Sequence, residues 1–123
     1  MNDPRNPILR VVPRPHDINS NGHIFGGWVL SQMDIAGGIV AGQRANGPVA
    51  TVAIESMSFI APILLGDLIS IYGSVARVGR TSIAVKLEVV ASRDRGASEV
   101  KMTEGVFTFV ALDAHHKPRP LDG

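Results

Sequence analysis

Residues 19–42 read NSNGHIFGGWVLSQMDIAGGIVAG. The second half has the content of a buried helix. Trp28, Val29, Leu30, Met33, Ile35, Ile39 and Val40 leave few positions for water. Asp34 stands in their middle. A carboxylate on an apolar helix is costly unless something solvates it or uses it. The first half is loop chemistry: Asn, Ser and three glycines, Gly22, Gly26 and Gly27. A loop of this kind delivers the chain into a helix start with its first N–H groups unpaired.

At about 100° per residue, Gly27, Ser31, Asp34, Gly38 and Ala41 fall within about 40° of one line. All but Asp34 are small. Such a stripe either packs closely against a neighbour or leaves a crevice into which the acid projects. An acid lining a narrow crevice suits a general base or a nucleophile. Helix-start N–H groups, aided by the helix dipole, suit a carbonyl oxygen that gains negative charge. Acyl transfer is the chemistry that uses both.

Outward from this stretch, glycine and proline divide the chain. Residues 1–7 form a polar arm. A short strand is expected over 8–12, ended by Pro13 and Pro15. The helix is expected over 28–45, stopped by Asn46-Gly47-Pro48. Strands follow over 49–59, 68–78, 82–92 and 101–112. Pro62 and Gly66, Gly79-Arg80 and the polar loop 93–98 separate them. In 82–92 Ile83, Val85, Leu87 and Val89 share one face, with Lys86 and Glu88 on the other. Residues 113–123 form an irregular tail. Strands joined by short turns give an antiparallel sheet, and one apolar helix needs that sheet as its cover. The helix is apolar around most of its circumference, so the sheet curls round it or a second subunit covers the rest.

Composition bounds the alternatives. The chain has 123 residues, enough for one domain with a real core. Apolar residues make up 45% and charged residues 19%, and the formal net charge is +1. Near-neutrality argues against broad attraction to nucleic acid or anionic membrane. With no cysteine there is no disulfide, thiol nucleophile or cysteine metal site. His115-His116 lacks a third ligand at a recognisable spacing, so no metal is expected. A cytoplasmic enzyme or binding domain is the default.

Asn19-Ser20-Asn21-Gly22-His23-Ile24-Phe25-Gly26-Gly27-Trp28 followed by Gln32-Met33-Asp34 resembles the YciA-type acyl-CoA thioesterases. Residues 59–67, FIAPILLGD, resemble the F-x-x-P-x-x-x-G-D turn common in hotdog thioesterases. Val78-Gly79-Arg80-Thr81-Ser82 and Lys117-Pro118-Arg119-Pro120 extend the likeness over nearly the whole chain. The resemblance implies an α+β hotdog fold, a long central helix wrapped by a curved antiparallel sheet. It implies a dimer, with a trimer of dimers as a common extension, and active sites at the subunit interface. It makes Asp34 the catalytic carboxylate, faced by Asn19 of the partner subunit, with Gly26 and Gly27 polarising the thioester carbonyl. Arg77, Gly79, Arg80, Thr81 and Ser82 are the candidates for holding coenzyme A phosphates, with Lys117 and Arg119 behind them. The expected substrate is acyl-CoA, with no cofactor because CoA is part of substrate and product. The rivals are an acyl-carrier-protein thioesterase and a non-catalytic acyl-CoA sensor. Ser56 reads as a core hydroxyl, Glu55 as buried beside it, and Phe25 with Trp28 as a hydrophobic staple.

Overall fold

The computed structural model describes residues 6–122. The arm expected over 1–7 lies mostly outside them. The helix α1, Gly26–Ala45, is flanked by β1 (Leu9–Val11) before it and by β2 (Val49–Phe59), β3 (Leu68–Val78), β4 (Ser82–Arg93) and β5 (Ser98–Ala111) after it. The five strands form one antiparallel sheet in the order β1-β3-β4-β5-β2. Among the described residues β2, first after the helix in sequence, pairs only with β5, the last of these strands.

The breakers act where their chemistry requires. Asn46 ends α1 in the left-handed conformation (φ 53°), and the Gly47 N–H returns to Gly42 O at 3.2 Å. At the β3–β4 turn Gly79 N–H donates to Ser82 O at 2.8 Å, and a Cβ at Gly79 would stand 2.6 Å from Ser82 Oγ. The 61–67 turn depends on Asp67, which is 3% exposed. Its Oδ2 accepts the Leu64 N–H at 2.9 Å, and Arg93 donates to both oxygens at 2.9 and 3.1 Å. Arg93 also reaches Pro62 O at 3.0 Å, so one guanidinium ties the turn to the end of β4. The hydrogen bond to Asp67, foremost, holds the Arg93 pKa above its ordinary value.

α1 lies on the sheet through Val29, Met33, Ala36, Gly37, Val40, Ala41 and Ala45, all buried. The facing strands supply Ile69, Ile71, Ile83, Val85, Leu87, Val89, Phe107 and Phe109, each no more than 1% exposed. Contact is closest at Gly37, where a Cβ would meet Phe109 Cζ at 2.7 Å and Cε1 at 2.8 Å. The opposite side of the helix stays open. Ile35 and Ile39 are 49% and 41% exposed, and on β2 Val52, Ile54 and Phe59 are open as well. The sheet therefore covers only part of the apolar circumference.

Three local expectations change, and the irregular tail turns out to be anchored. β5 begins at Ser98 rather than 101, because residues 94–96 turn tightly with positive φ and let pairing start at once. Glu55 and Ser56 are exposed, because β2 is an edge strand with its outer face bare. The staple positions are Ile24 and Val29, both in the core, while Phe25 is the N-cap and is 49% exposed. The tail is irregular but anchored: Arg119 donates to Leu112 O at 3.0 Å and to Ala45 O, the last helical carbonyl, at 2.6 Å.

Candidate active site

The helix start sits between two clefts. One, of about 430 Å³, is lined by Gly27, Leu30, Ser31 and Asp34 of α1, Thr51 and Ile54 of β2, and Phe107 of β5. The other, of about 320 Å³, has Asn19, His23 and Gly26 with Thr103 and the apolar groups of the 59–63 segment. Gly26 and Gly27 thus face different clefts one residue apart. Trp28 and Val29 N–H both return to Phe25 O, at 3.1 and 3.4 Å. Gly26 and Gly27 are exposed, and their N–H groups find no acceptor among the described residues. They are the orphan donors of the first turn.

Asp34 is exposed in the first cleft, and its Oδ1 accepts a hydrogen bond from Thr51 Oγ1 at 2.5 Å. The geometry of β2 brings Thr51 there. Residues sharing a strand face are normally two apart. Thr51 and Ile54, three apart, line the same cleft because the β2–β5 register shifts between Thr51 and Ala53. An extra residue of this kind reverses which side chains point inward. The stripe of small residues holds as a cleft wall for Gly27, Ser31 and Asp34. At its far end Ala41 is fully buried, and there the small residue serves close packing.

Asn19 is built into its loop. Its Oδ1 accepts the N–H groups of Asn21 (2.9 Å) and His23 (3.1 Å). Asn19 N–H donates to His23 O at 2.7 Å, and Ile24 N–H fixes the loop to Ile63 O at 3.0 Å. Its carboxamide oxygen is occupied, which leaves the NH2 group to donate outward. Within one chain Asn19 and Asp34 line different clefts.

The residues expected at the phosphates divide. Arg77 donates to both oxygens of Glu55, at 2.6 and 2.7 Å, and Thr108 Oγ1 adds a third bond to Glu55 at 2.6 Å. Those bonds, Thr108 first, hold the Glu55 carboxyl below the usual glutamate range. Register explains the reach: Arg77 pairs with Ala84, Ala84 with Thr108 and Thr108 with Ala53, a row across the outer face with only small groups in between. Arg77 is thus engaged in an ion pair. Arg80 is exposed, and its side chain has no partner among the described residues. Gly79, Thr81 and Ser82 shape the turn beside it, where Thr81 O and Arg80 O accept Ala111 N–H and Leu121 N–H at 2.9 and 3.0 Å. Arg119 is spent on the helix end. Among the described residues no group of three or more His, Cys, Asp or Glu is placed to hold a metal, and no helix is long and apolar enough to cross a membrane.

Residues 21–98 match the thioesterase superfamily. The chain belongs to that family. It is 48% identical over 118 residues to an uncharacterized acyl-CoA thioester hydrolase of Haemophilus influenzae, covering 93% of this chain and 76% of the relative. It is 46% identical to the acyl-CoA thioester hydrolase YciA of Salmonella typhimurium, covering 93% and 88%. Among solved structures, the hexameric thioesterase of Yersinia pestis superposes with a TM-score of 0.91 at 40% identity, over 98% of both chains. The expectation of a YciA-type hotdog thioesterase is met in family and fold. The expected assembly needs correction. A dimer, with a trimer of dimers left as an extension, was the unit drawn from the sequence, whereas the solved relatives are described as hexamers. The apolar circumference of the helix pointed to a covering copy, but the bare β2 edge was not legible, because the chain's own apolar pattern does not say which strand its own sheet leaves unpaired.

Proposed function

We propose that this chain hydrolyses acyl-CoA thioesters to free CoA and a carboxylic acid, with Asp34 as the catalytic carboxylate. The observation that carries this reading is Asp34 in an open cleft, oriented by Thr51, on a helix whose first N–H groups are unpaired. A water held by Asp34 attacks the thioester carbon and gives its proton to the carboxylate. The Gly26 and Gly27 N–H groups take the charge that develops on the carbonyl oxygen. The tetrahedral intermediate collapses by breaking the carbon–sulfur bond. The thiolate leaves readily, because thiol pKa values lie near about 8.5, and it recovers the proton from Asp34. Thr51 is a positioning residue: its bond to Oδ1 fixes one oxygen and leaves Oδ2 for the water.

The working assembly is a hexamer, as in the solved relatives. The open face of Ile35, Ile39, Val52 and Ile54 is the apolar surface that neighbouring copies cover. In that assembly Asn19 of a neighbouring copy meets Asp34, which supplies the donor that one chain alone keeps in a separate cleft. Arg80 is the open cation for the CoA phosphates, with Gly79, Thr81 and Ser82 shaping its turn. No cofactor takes part, CoA belonging to substrate and product, and the activity is cytoplasmic.

The test is thiol release from acyl-CoAs by wild type, Asp34→Asn and Thr51→Val. Asp34→Asn should lose about 10²–10⁴-fold in kcat, the usual contribution of a general base. Thr51→Val should lose less and keep its KM. Wild-type turnover by a folded Asp34→Asn hexamer removes Asp34 from the mechanism.

A further inference from the structure

The cleft beside Asn19 has a wall that none of these steps uses. Ile24, Val29 and Ile63 are core residues that reach the cleft from within, whereas Phe59, at the end of β2, lines it while 57% exposed. Its ring lies against the start of α1. A Cβ added at Gly26 would meet Phe59 Cζ at 3.5 Å and Cε1 at 3.7 Å, and no other group within 4 Å beyond its chain neighbours and its own helix. Those are ordinary contact distances. Gly26 does not have a positive φ either, so alanine, the better helix former, would fit in its place. The fold therefore does not require glycine at this position. What glycine leaves is a gap between backbone and ring as wide as a methyl group. The gap belongs to the cleft of about 320 Å³, whose apolar walls suit an alkyl group, and the unpaired Gly26 N–H stands beside it.

We propose that Phe59 and Gly26 form a slot that makes this enzyme selective for acyl groups unbranched at the carbon next to the thioester. The proposal rests on the thioesterase reading, both for the ligand and for the Gly26 N–H as a donor to its carbonyl oxygen. A hydrogen bond puts that oxygen about 3 Å from the Gly26 nitrogen, so the first carbons of the acyl group lie beside Gly26. A single methylene fills the slot, in contact with the backbone on one side and the ring on the other. A methyl branch on the same carbon needs a second space of that size, and the ring denies it. Carbons further along the chain lie in the wider part of the cleft and are not screened in this way. Phe59 acts on the shape of the acyl group and leaves proton transfer at Asp34 untouched.

The experiment compares kcat/KM for butyryl-CoA and isobutyryl-CoA, isomers of equal carbon count, in wild type, Phe59→Ala and Phe59→Leu. Wild type should favour butyryl-CoA. Phe59→Ala opens the slot, and its isobutyryl-to-butyryl ratio should rise on the order of tenfold, the usual worth of one methylene in an apolar pocket. Phe59→Leu, which keeps much of the bulk, should fall between the two. Phe59 is more than half exposed, so its removal spares the core, and sedimentation records the assembly of each variant. A role in packing or assembly alone would lower both rates together and leave their ratio unchanged. An unchanged ratio in Phe59→Ala overturns the proposal, as does a wild type that takes both isomers equally. If wild type releases no thiol from any acyl-CoA, the thioesterase reading fails on its own. Calorimetric Kd values for S-butyl-CoA and S-isobutyl-CoA then decide: a relative gain for the branched thioether in Phe59→Ala supports the slot, and an unchanged Kd ratio refutes it.

Discussion

Removing the Asp67 carboxylate should cost far more than an ordinary surface change. Asp67→Ala deletes both Arg93 contacts and the bond to the Leu64 N–H, and it strands a guanidinium whose side chain is only 26% exposed. Breaking a buried pair from one side costs about 3–5 kcal/mol. Arg93 can partly rehydrate through its open edge, so the low end applies, about 3 kcal/mol. At about 2.1 cal/mol/K per residue, unfolding a chain of 123 residues carries an entropy near 0.26 kcal/mol/K, so Tm should fall by about 12 °C. The assay is calorimetry at one fixed protein concentration, since assembly makes Tm concentration-dependent. The partner variant sharpens the result. Replacing both groups, Asp67→Leu with Arg93→Met, leaves no buried charge behind and should cost less than Asp67→Ala alone. A fall under about 4 °C for Asp67→Ala, or a double variant worse than the single one, would refute the account of this turn as held by a desolvated ion pair.

Gly37→Ala should destabilise by about 1–3 kcal/mol of overpacking, less about 1 kcal/mol gained in helix propensity, because the new Cβ collides with the Phe109 ring. Denaturant unfolding reads the net sign, and a more stable variant refutes the close approach. Arg80→Ala should raise KM for acyl-CoA more than it lowers kcat, and steady-state kinetics with an unchanged KM would clear Arg80 of phosphate binding. The Glu55 carboxyl should titrate below its ordinary 4.5, followed by carboxyl NMR, and Thr108→Val should raise that midpoint. Since the folded value is the depressed one, what Glu55 adds to stability is present above the ordinary value and is lost as pH falls through the folded one.

Much of the fold was legible because its punctuation is chemically blunt. The limits of β2 and β3 coincide with those expected, since Gly47-Pro48, the 61–67 turn and Gly79-Arg80 allow no other break. α1 starts two residues earlier than expected, at the glycines themselves, because their missing side chains do not prevent helical dihedrals. The acid on its helix and the glycine loop ahead of it could be read directly. Thr51 could not. Its direction depends on a register shift against β5, some 55 residues away in sequence, and nothing local marks the extra residue. The engagement of Arg77 was hidden for a similar reason: Glu55 and Thr108 become its neighbours only through the strand order. Phe59 reads in sequence as the first residue of the 59–67 turn, and only the helix start beside it sets it apart.

The tail that caps the helix has a consequence for synthesis. The carbonyl of Ala45 waits for Arg119, 74 residues further on, and the apolar edge strand made just after the helix waits for β5. A growing chain therefore carries its central helix with the Ala45 carbonyl unpaired by Arg119, and with its apolar edge strand unpaired, until β5 and the segment that follows it have been made. Closure of the sheet therefore waits for β5. A ribosome that stalls within β5 leaves a product with Asp34 already made and no finished sheet to hold its helix.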